Sequence, residues 1–399
     1  MSLIRTKEDY TKYINRISVI PYGLFGPTPD VLIETMVNQI DVDWKNPNLK
    51  ILDPGFGFGG FLFFVYLKLK QYHSEEHILN NMLYGIEIEP FRFKLVQEKF
   101  KIENLYNEDY INPSNKFKKI LNMEFDVIIG NPPYQNTISG EHKSKKTLWA
   151  EFILKSHNIL KPNGVLSFIV PDGWHSPTTD IPNNSISLFN DIFKNGNLIY
   201  CADSSLIKPH FKGVGQSFSM FIFVKNNSYK NTIFKSVNGE FEYDIKSLNF
   251  IPKNINKISF DIHKKVLNNT TDKFIFERYQ KKDGGMIDDR HPHYNKPKLK
   301  FSRGLAKFKI DYDNGNSGYD VFTYACFLAN NESVDSATSL MNSKLYYFIL
   351  NQKWNQYFTK YIPNVIPKLP LNKIYSDSDL YKEFNLSNEE IDYIENYVK

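Results

Sequence analysis

At 399 residues and 46.7 kDa the chain exceeds one average domain, and roughly 150 residues per domain points to two or three. Its hydrophobic share of 41% is enough for a buried core, while 49 basic against 44 acidic side chains leave +5, compatible with a polyanionic partner without demanding one. The two cysteines, Cys201 and Cys326, lie too far apart in sequence for a Cys-x-x-Cys metal pair and offer no disulfide framework; no run of eighteen apolar residues occurs, so a soluble, cytoplasmic protein with no membrane partner is expected.

In chain order, Leu49 to Leu52 reads as an apolar strand, followed by a glycine-rich turn and a helix over Phe61 to Lys70. Met82 to Ile88 is the next strand, Phe91 to Phe100 a helix, and Phe125 to Ile129 a third strand. Trp149 to Leu160 has the pattern of an amphipathic helix closed by Lys161-Pro162-Asn163-Gly164, and Val165 to Val170 is a strand that is apolar except at Ser167. Phe218 to Val224 is another, after a loop running from Phe211 through Gly213 and Gly215 to Ser217. This alternation predicts a doubly wound α/β domain over residues 1–245. Beyond it the alternation stops, and irregular polar stretches such as Lys281 to Gly285 and Asp311 to Asn316 separate short mixed segments; residues 246–399 read as a second domain.

Two loops carry chemistry. Asp53-Pro54-Gly55-Phe56-Gly57-Phe58-Gly59-Gly60-Phe61 follows the first strand, and its glycines let the backbone approach a ligand at the start of a helix. Glu87 ends the next strand, where a ribose-binding acid belongs; the glycine spacing departs from G-x-G-x-x-G and no Walker lysine follows, which disfavours a dinucleotide and a nucleoside triphosphate. The other loop, Asn131-Pro132-Pro133-Tyr134, ends the third strand. Its prolines remove two donors and fix two φ angles, and an Asn oxygen beside a rigid carbonyl can accept two hydrogen bonds from one amino group while Tyr134 holds a flat ring.

Asp53-Pro54 with Gly57, Gly59 and Phe61 resembles the S-adenosylmethionine motif of the amino-methyltransferases, and Asn131-Pro132-Pro133-Tyr134 resembles their catalytic tetrapeptide. Gly26-Pro27-Thr28-Pro29, Tyr84 to Pro90, Asn107 to Tyr110, Leu160 to Val165, and Phe211 ahead of Ser217 to Val224 fall in the order of the γ-class DNA adenine-N6 methyltransferases of the TaqI and Eco57I type, over residues 20–225. The resemblance implies a Rossmann-like α/β methyltransferase domain with a C-terminal α+β target-recognition domain. It implies S-adenosyl-L-methionine bound by Thr28, Asp53, Gly55, Gly57, Gly59, Glu87, Asp109 and Tyr110, with Glu87 on the ribose, Asp109 on the adenine amino group and Tyr110 packed on that adenine. Catalysis would fall to Asn131, Pro132 and Tyr134, with Phe211 against the flipped target base and no metal. Phe56 and Phe58 replace the family's small residues and are expected to point into the sheet-helix interface.

In the second half, Lys296 to Gly304 packs four positive charges with an aromatic residue into a stretch suited to phosphate contacts, with a solvated face as the competing reading. Leu340 to Lys344 leading a helix and Tyr361 to Pro370 resemble the carboxy-terminal layout of the same enzymes, and Asp288 to His293 reads as a solvated loop. The expected partner is double-stranded DNA, with a cognate restriction endonuclease as an optional further one, and the chain is expected to act as a monomer. Two alternatives stay open: an Asn-Pro-Pro-Tyr methyltransferase acting on RNA or a protein glutamine, and a non-catalytic DNA-binding protein of this fold.

Overall fold

The computed structural model describes residues 3–17, 26–118, 122–134, 148–177, 186–211, 217–228, 230–268, 272–278, 291–302, 310–319, 323–329, 332–352 and 366–398. The chain divides into two units, one of Met1–Trp174 with Thr179–Ile245, the other of His175–Thr178 with Lys246–Lys399. Among the described residues, no helix is long and apolar enough to cross a membrane.

The first unit is an α/β domain built on one nine-stranded sheet. Its strands are β1 (Ile51–Asp53), β2 (Leu83–Ile86), β3 (Asn104–Tyr106), β4 (Phe125–Gly130), β5 (Leu160–Pro171), β6 (Asn197–Ala202), β7 (Phe218–Val224), β8 (Thr232–Ser236) and β9 (Gly239–Tyr243), in the order 3-2-1-4-5-7-6-8-9. Strands β3, β2, β1, β4 and β5 run parallel, while β7 is antiparallel to both β5 and β6. Strands covered on both faces read as near-continuous apolar runs, and Gly164 to Pro171 of β5 and Phe218 to Phe223 of β7, which carry Ser167 and Ser219 among their apolar residues, are buried throughout. The strand order reverses between β1 and β4, and at such a reversal the connections leave in opposite directions and open a crevice at the carboxyl ends.

The helix Gly60–Leu69 is apolar nearly all round because it is enclosed on all sides. A helix that the sequence reading did not place, Lys7–Ile17, packs on it: the Tyr10 ring stacks on Phe63 at 4.6 Å, and the Tyr13 hydroxyl donates to the Phe58 carbonyl at 3.1 Å. Phe56 and Phe58 are themselves buried in this core.

Lys161 to Gly164, expected to close the preceding helix, lies within β5 as an irregularity: the register passes from Phe125 opposite Leu160 to Val127 opposite Val165, and Asn163 turns through a left-handed φ of 63°. Lys225 Nζ donates to the His157 and Leu160 carbonyls at 2.8 and 2.7 Å, closing the end of the helix Leu148–Ile159. The chain therefore passes into the strand without a separate cap.

The second unit has a four-stranded antiparallel sheet of β10 (Glu277–Arg278), β11 (Pro297–Ser302), β12 (Asp311–Asn314) and β13 (Thr323–Phe327), ordered 10-13-11-12. Its longer helices, Lys257–Asn268, Val334–Met341, Lys344–Asn351, Asp377–Glu383 and Asn388–Tyr397, lie before and after the strands in sequence, an α+β arrangement. Ser343 caps Lys344–Asn351 by accepting from the Tyr346 amide at 3.2 Å.

Three readings of this unit are corrected. Residues Asp311 to Asn314 of the stretch taken as irregular form β12, and the carboxylate of Asp313 is buried there. It accepts from Lys298 at 3.1 Å, from Lys300 at 2.9 Å, from the Ser317 hydroxyl, and from the amides of Gly315 and Asn316 at 3.0 and 2.8 Å. Lys298 is fully buried and also donates to the carbonyls of His293, Tyr294 and Lys296. Two of the four charges read as phosphate contacts are thus committed within the fold. His291 is likewise buried, its ring centroid 4.6 Å from that of Tyr319, so this position is packed rather than a solvated loop. Lys281 to Gly285, Asp288 to Arg290, Arg303, Gly304 and Tyr361 to Val365 lie outside the described residues.

Burial works against the Asp313 charge, but its hydrogen bonds from Ser317, Lys300, Asn316 and Lys298 outweigh it and hold the carboxyl below its ordinary value of 3.8. A folded-state value below the unfolded one contributes stability that is complete above 3.8 and is lost as the pH falls below it. Urea unfolding should therefore show the wild type losing this contribution in acid, with the loss absent in Asp313→Ala. At neutral pH that substitution should cost about 3 kcal/mol by stranding the buried Lys298 ammonium, and the joint change Lys298→Met with Asp313→Leu should cost less.

Candidate functional site

The ends of β1, β2 and β4 meet at the strand-order reversal. Asp53 closes β1 with 1% of its surface exposed; its Oδ1 accepts from the Gly55 amide at 3.1 Å, and its Oδ2 has no hydrogen-bond partner among the described residues. Burial pushes this carboxyl well above the usual carboxylate range, opposed by the Gly55 amide and assisted by the Glu87 charge. Gly130, the last residue of β4, makes room for it: a Cβ there would stand 2.9 Å from Asp53 Oδ1.

Gly57 and Gly59 adopt φ of 55° and 82°, the left-handed region that glycine enters without strain, and the helix from Gly60 starts without a side-chain cap. Glu87 ties this loop to the end of β2, its Oε2 accepting from the Gly57 amide and its Oε1 from the Glu89 amide, both at 2.9 Å. Burial raises the Glu87 carboxyl above its ordinary value, with those amides opposing. Each oxygen keeps a further lone pair for a hydroxyl.

Asp109 lies half-buried and caps its own loop, Oδ1 accepting from the amides of Ile111 and Asn112 at 2.8 and 3.1 Å. Tyr110 corrects the expectation placed on it. Its hydroxyl pairs with Ser156 at 3.0 Å, its ring lies 5.0 Å from Phe152, and the Lys155 ammonium sits 5.0 Å from the ring centroid. With 2% of its surface exposed, it offers no open face to a purine; the helix Leu148–Ile159 has claimed the ring. Ile88, within the Tyr84 to Pro90 segment but given no role of its own, follows Glu87 and leaves 41% of its surface open. An apolar residue directly after a strand-end acid was the available signal.

The Asn131-Pro132-Pro133-Tyr134 loop lies directly on the glycine loop: a Cβ on Gly55 would stand 3.5 Å from Pro133 Cδ and 3.9 Å from Pro132 Cα. Asn131 is held at both ends of its amide. Its Nδ2 donates to Thr28 Oγ1 at 3.1 Å, and its Oδ1 accepts from the Tyr134 hydroxyl at 2.8 Å. Burial, then the charge of Asp172, raise the Tyr134 phenol above its ordinary value, with the Asn131 hydrogen bond opposing, so it remains a donor. The Tyr134 ring lies 5.2 Å from that of Phe218, and the Phe211 ring lies 5.7 Å from Phe218 as well. Phe218 is fully buried, so Tyr134 and Phe211 both lean on a core side chain. Residues Lys212 to Gln216, which follow Phe211, lie outside the described residues.

The arrangement unites Thr28, Asp53, Gly55, Gly57, Gly59 and Glu87 with Asn131, Pro132 and Tyr134 around one crevice. A buried carboxyl with an unfilled oxygen, a left-handed glycine turn and an acid with spare lone pairs suit a ligand carrying both a cation and ribose hydroxyls, as S-adenosylmethionine does.

Residues 63–203 match the model of the Eco57I restriction-modification methylase family. Curated relatives include the type I restriction enzyme MjaIX methylase subunit of Methanocaldococcus jannaschii, 27% identical over 130 residues, which are 32% of this chain and 22% of that protein. Modification methylase CviBIII of Paramecium bursaria Chlorella virus NC1A is 27% identical over 172 residues, 41% of each chain. The matched regions span less than half the length of either relative. Among solved structures, a type I restriction-modification system methyltransferase subunit from Streptococcus thermophilus overlaps with a TM-score of 0.43 at 18% identity, covering 60% of this chain and 55% of that one. The crevice between β1 and β4 thus lies in a chain whose residues 63–203 carry the sequence pattern of the Eco57I restriction-modification methylases.

Proposed function

We propose that the chain transfers a methyl group from S-adenosylmethionine to the N6 amino group of an adenine flipped out of double-stranded DNA, in a restriction-modification or phage-defence setting. The observation that carries this reading is the Asn131 amide at the end of β4, seated with its proline loop against the glycine loop of β1. The Eco57I family match supports it from sequence.

The bound cofactor supplies an electrophilic methyl on a sulfonium. Asp53 would hold the cationic methionine end, Glu87 the ribose hydroxyls and Asp109 the adenine amino group, with Ile88 giving the adenine an apolar face. Asn131 Oδ1 and the Pro132 carbonyl would each accept one proton of the target amino group, drawing its nitrogen toward tetrahedral geometry and freeing the lone pair. As the nitrogen–methyl bond forms the methyl–sulfur bond breaks, leaving a neutral thioether, and the methylated nitrogen, now an acidic ammonium, gives its extra proton to solvent; positioning and fixed dipoles suffice, and no strong base is needed. Tyr134 stacks on the target base, and Phe211 meets its edge or far side. Residues 246–399 would select the DNA site, with the chain acting as a monomer beside a cognate endonuclease where one exists.

Incubation with a labelled methyl donor and unmodified duplex DNA, followed by digestion, should place the label in N6-methyladenine. Label in cytosine, in RNA, in protein glutamine or nowhere would defeat the reading. Asn131→Ala should lower kcat roughly 10²–10³-fold while leaving donor binding intact.

Donor binding should also depend on pH through Asp53. Its carboxyl is raised in the free protein, and a cationic ligand beside it favours ionisation, so binding releases a proton. Affinity should rise with pH over the window above 3.8 and level off once Asp53 is ionised in the free protein. Titration calorimetry in buffers of different ionisation enthalpy measures this release; Asp53→Asn should abolish it, and its persistence in that variant would count against the assignment.

A further inference from the structure

We propose that Thr28 is a positioning residue for the reaction, its hydroxyl holding the plane of the Asn131 side-chain amide. The inference rests on the methyl-transfer reading above and deepens it. Asn131 Nδ2 donates to Thr28 Oγ1 at 3.1 Å across 103 positions of sequence.

Thr28 is well placed to be rigid. It stands between Pro27 and Pro29, whose rings fix φ on either side, and it precedes the helix Asp30–Gln39, which buries Leu32, Ile33, Met36 and Val37 in the core. Its own β-branched side chain is stiff about χ1. The acceptor offered to Asn131 is therefore fixed in space by packing remote from the crevice.

An Asn amide has soft rotation about its last bond. Here the Nδ2 end has Thr28, and the Oδ1 end has the Tyr134 hydroxyl, which sits on the catalytic loop itself. If an incoming amino group takes over Oδ1, the Thr28 contact becomes the one that keeps the amide plane. Without it the half-buried Nδ2 turns to find another acceptor and carries Oδ1 off line.

The test compares wild type, Thr28→Val, which keeps the shape and removes the hydroxyl, and Thr28→Ser, which restores it. Methyl transfer to duplex DNA is measured alongside calorimetric binding of S-adenosylhomocysteine. Thr28→Val should lower kcat by about 10²-fold with KM and cofactor affinity unchanged, and Thr28→Ser should recover most of the rate. An active wild type with an unimpaired Thr28→Val overturns the inference alone. It is also overturned if affinity falls in step with the rate, which makes the hydroxyl a cofactor contact, or if Thr28→Ser is as slow as Thr28→Val. A wild type that methylates nothing overturns this inference together with the functional reading.

Discussion

The buried carboxyl of Asp53 has room at the end of β1 because the adjoining strand ends in a residue with no side chain. Any Cβ at Gly130 would press on Asp53 Oδ1, so the carboxyl and the start of the Asn131 loop share one small volume at the reversal of strand order. The glycine turn hangs from that carboxyl through the Gly55 amide, and Glu87 fastens the same turn to β2 through the Gly57 amide. The crevice is thus braced by backbone amides given to acids, and both acids are raised above their ordinary values by burial.

Support for this frame comes from aromatic packing behind it. Tyr13 holds the Phe58 carbonyl and Tyr10 stacks on Phe63, so the turn cannot shift without moving a helix. Phe56 occupies the space beside Gly85, where a Cβ would come within 2.7 Å of its ring. Bulky residues in a loop that must admit a ligand are accommodated by turning them inward.

Much of this was legible in the sequence because it follows from local pattern. Near-continuous apolar runs marked β5 and β7, and the turn at Gly55 to Gly59 announced itself through residue type. Strands β3, β6, β8 and β9 were not marked, since β3 is three residues long and β8 and β9 are short strands partly open to solvent. Helix Lys7–Ile17 was missed although its buried Tyr10, Tyr13 and Ile17 recur at helical spacing. What sequence pattern cannot supply is a partner distant along the chain. Tyr110 looked available until the helix Leu148–Ile159 was packed over it, Lys298 and Lys300 looked like free cations until β12 brought Asp313 to them, and Thr28 showed nothing of its bond to Asn131.

The hydrogen bond from Tyr134 to Asn131 Oδ1 has a consequence for selectivity in the proposed reaction. An entering amino group either takes the second lone pair of that oxygen or replaces the phenol on it; in the second case one neutral hydrogen bond worth about 1 kcal/mol net is exchanged for another, and the displaced phenol must find a new acceptor. A base edge that presents only acceptors has nothing to give that oxygen in return. The phenol then stays on Asn131 Oδ1 and the amide gains nothing from the base, so the resting contact favours bases that carry a donor over those that do not, before any contact to the rest of the DNA site is made.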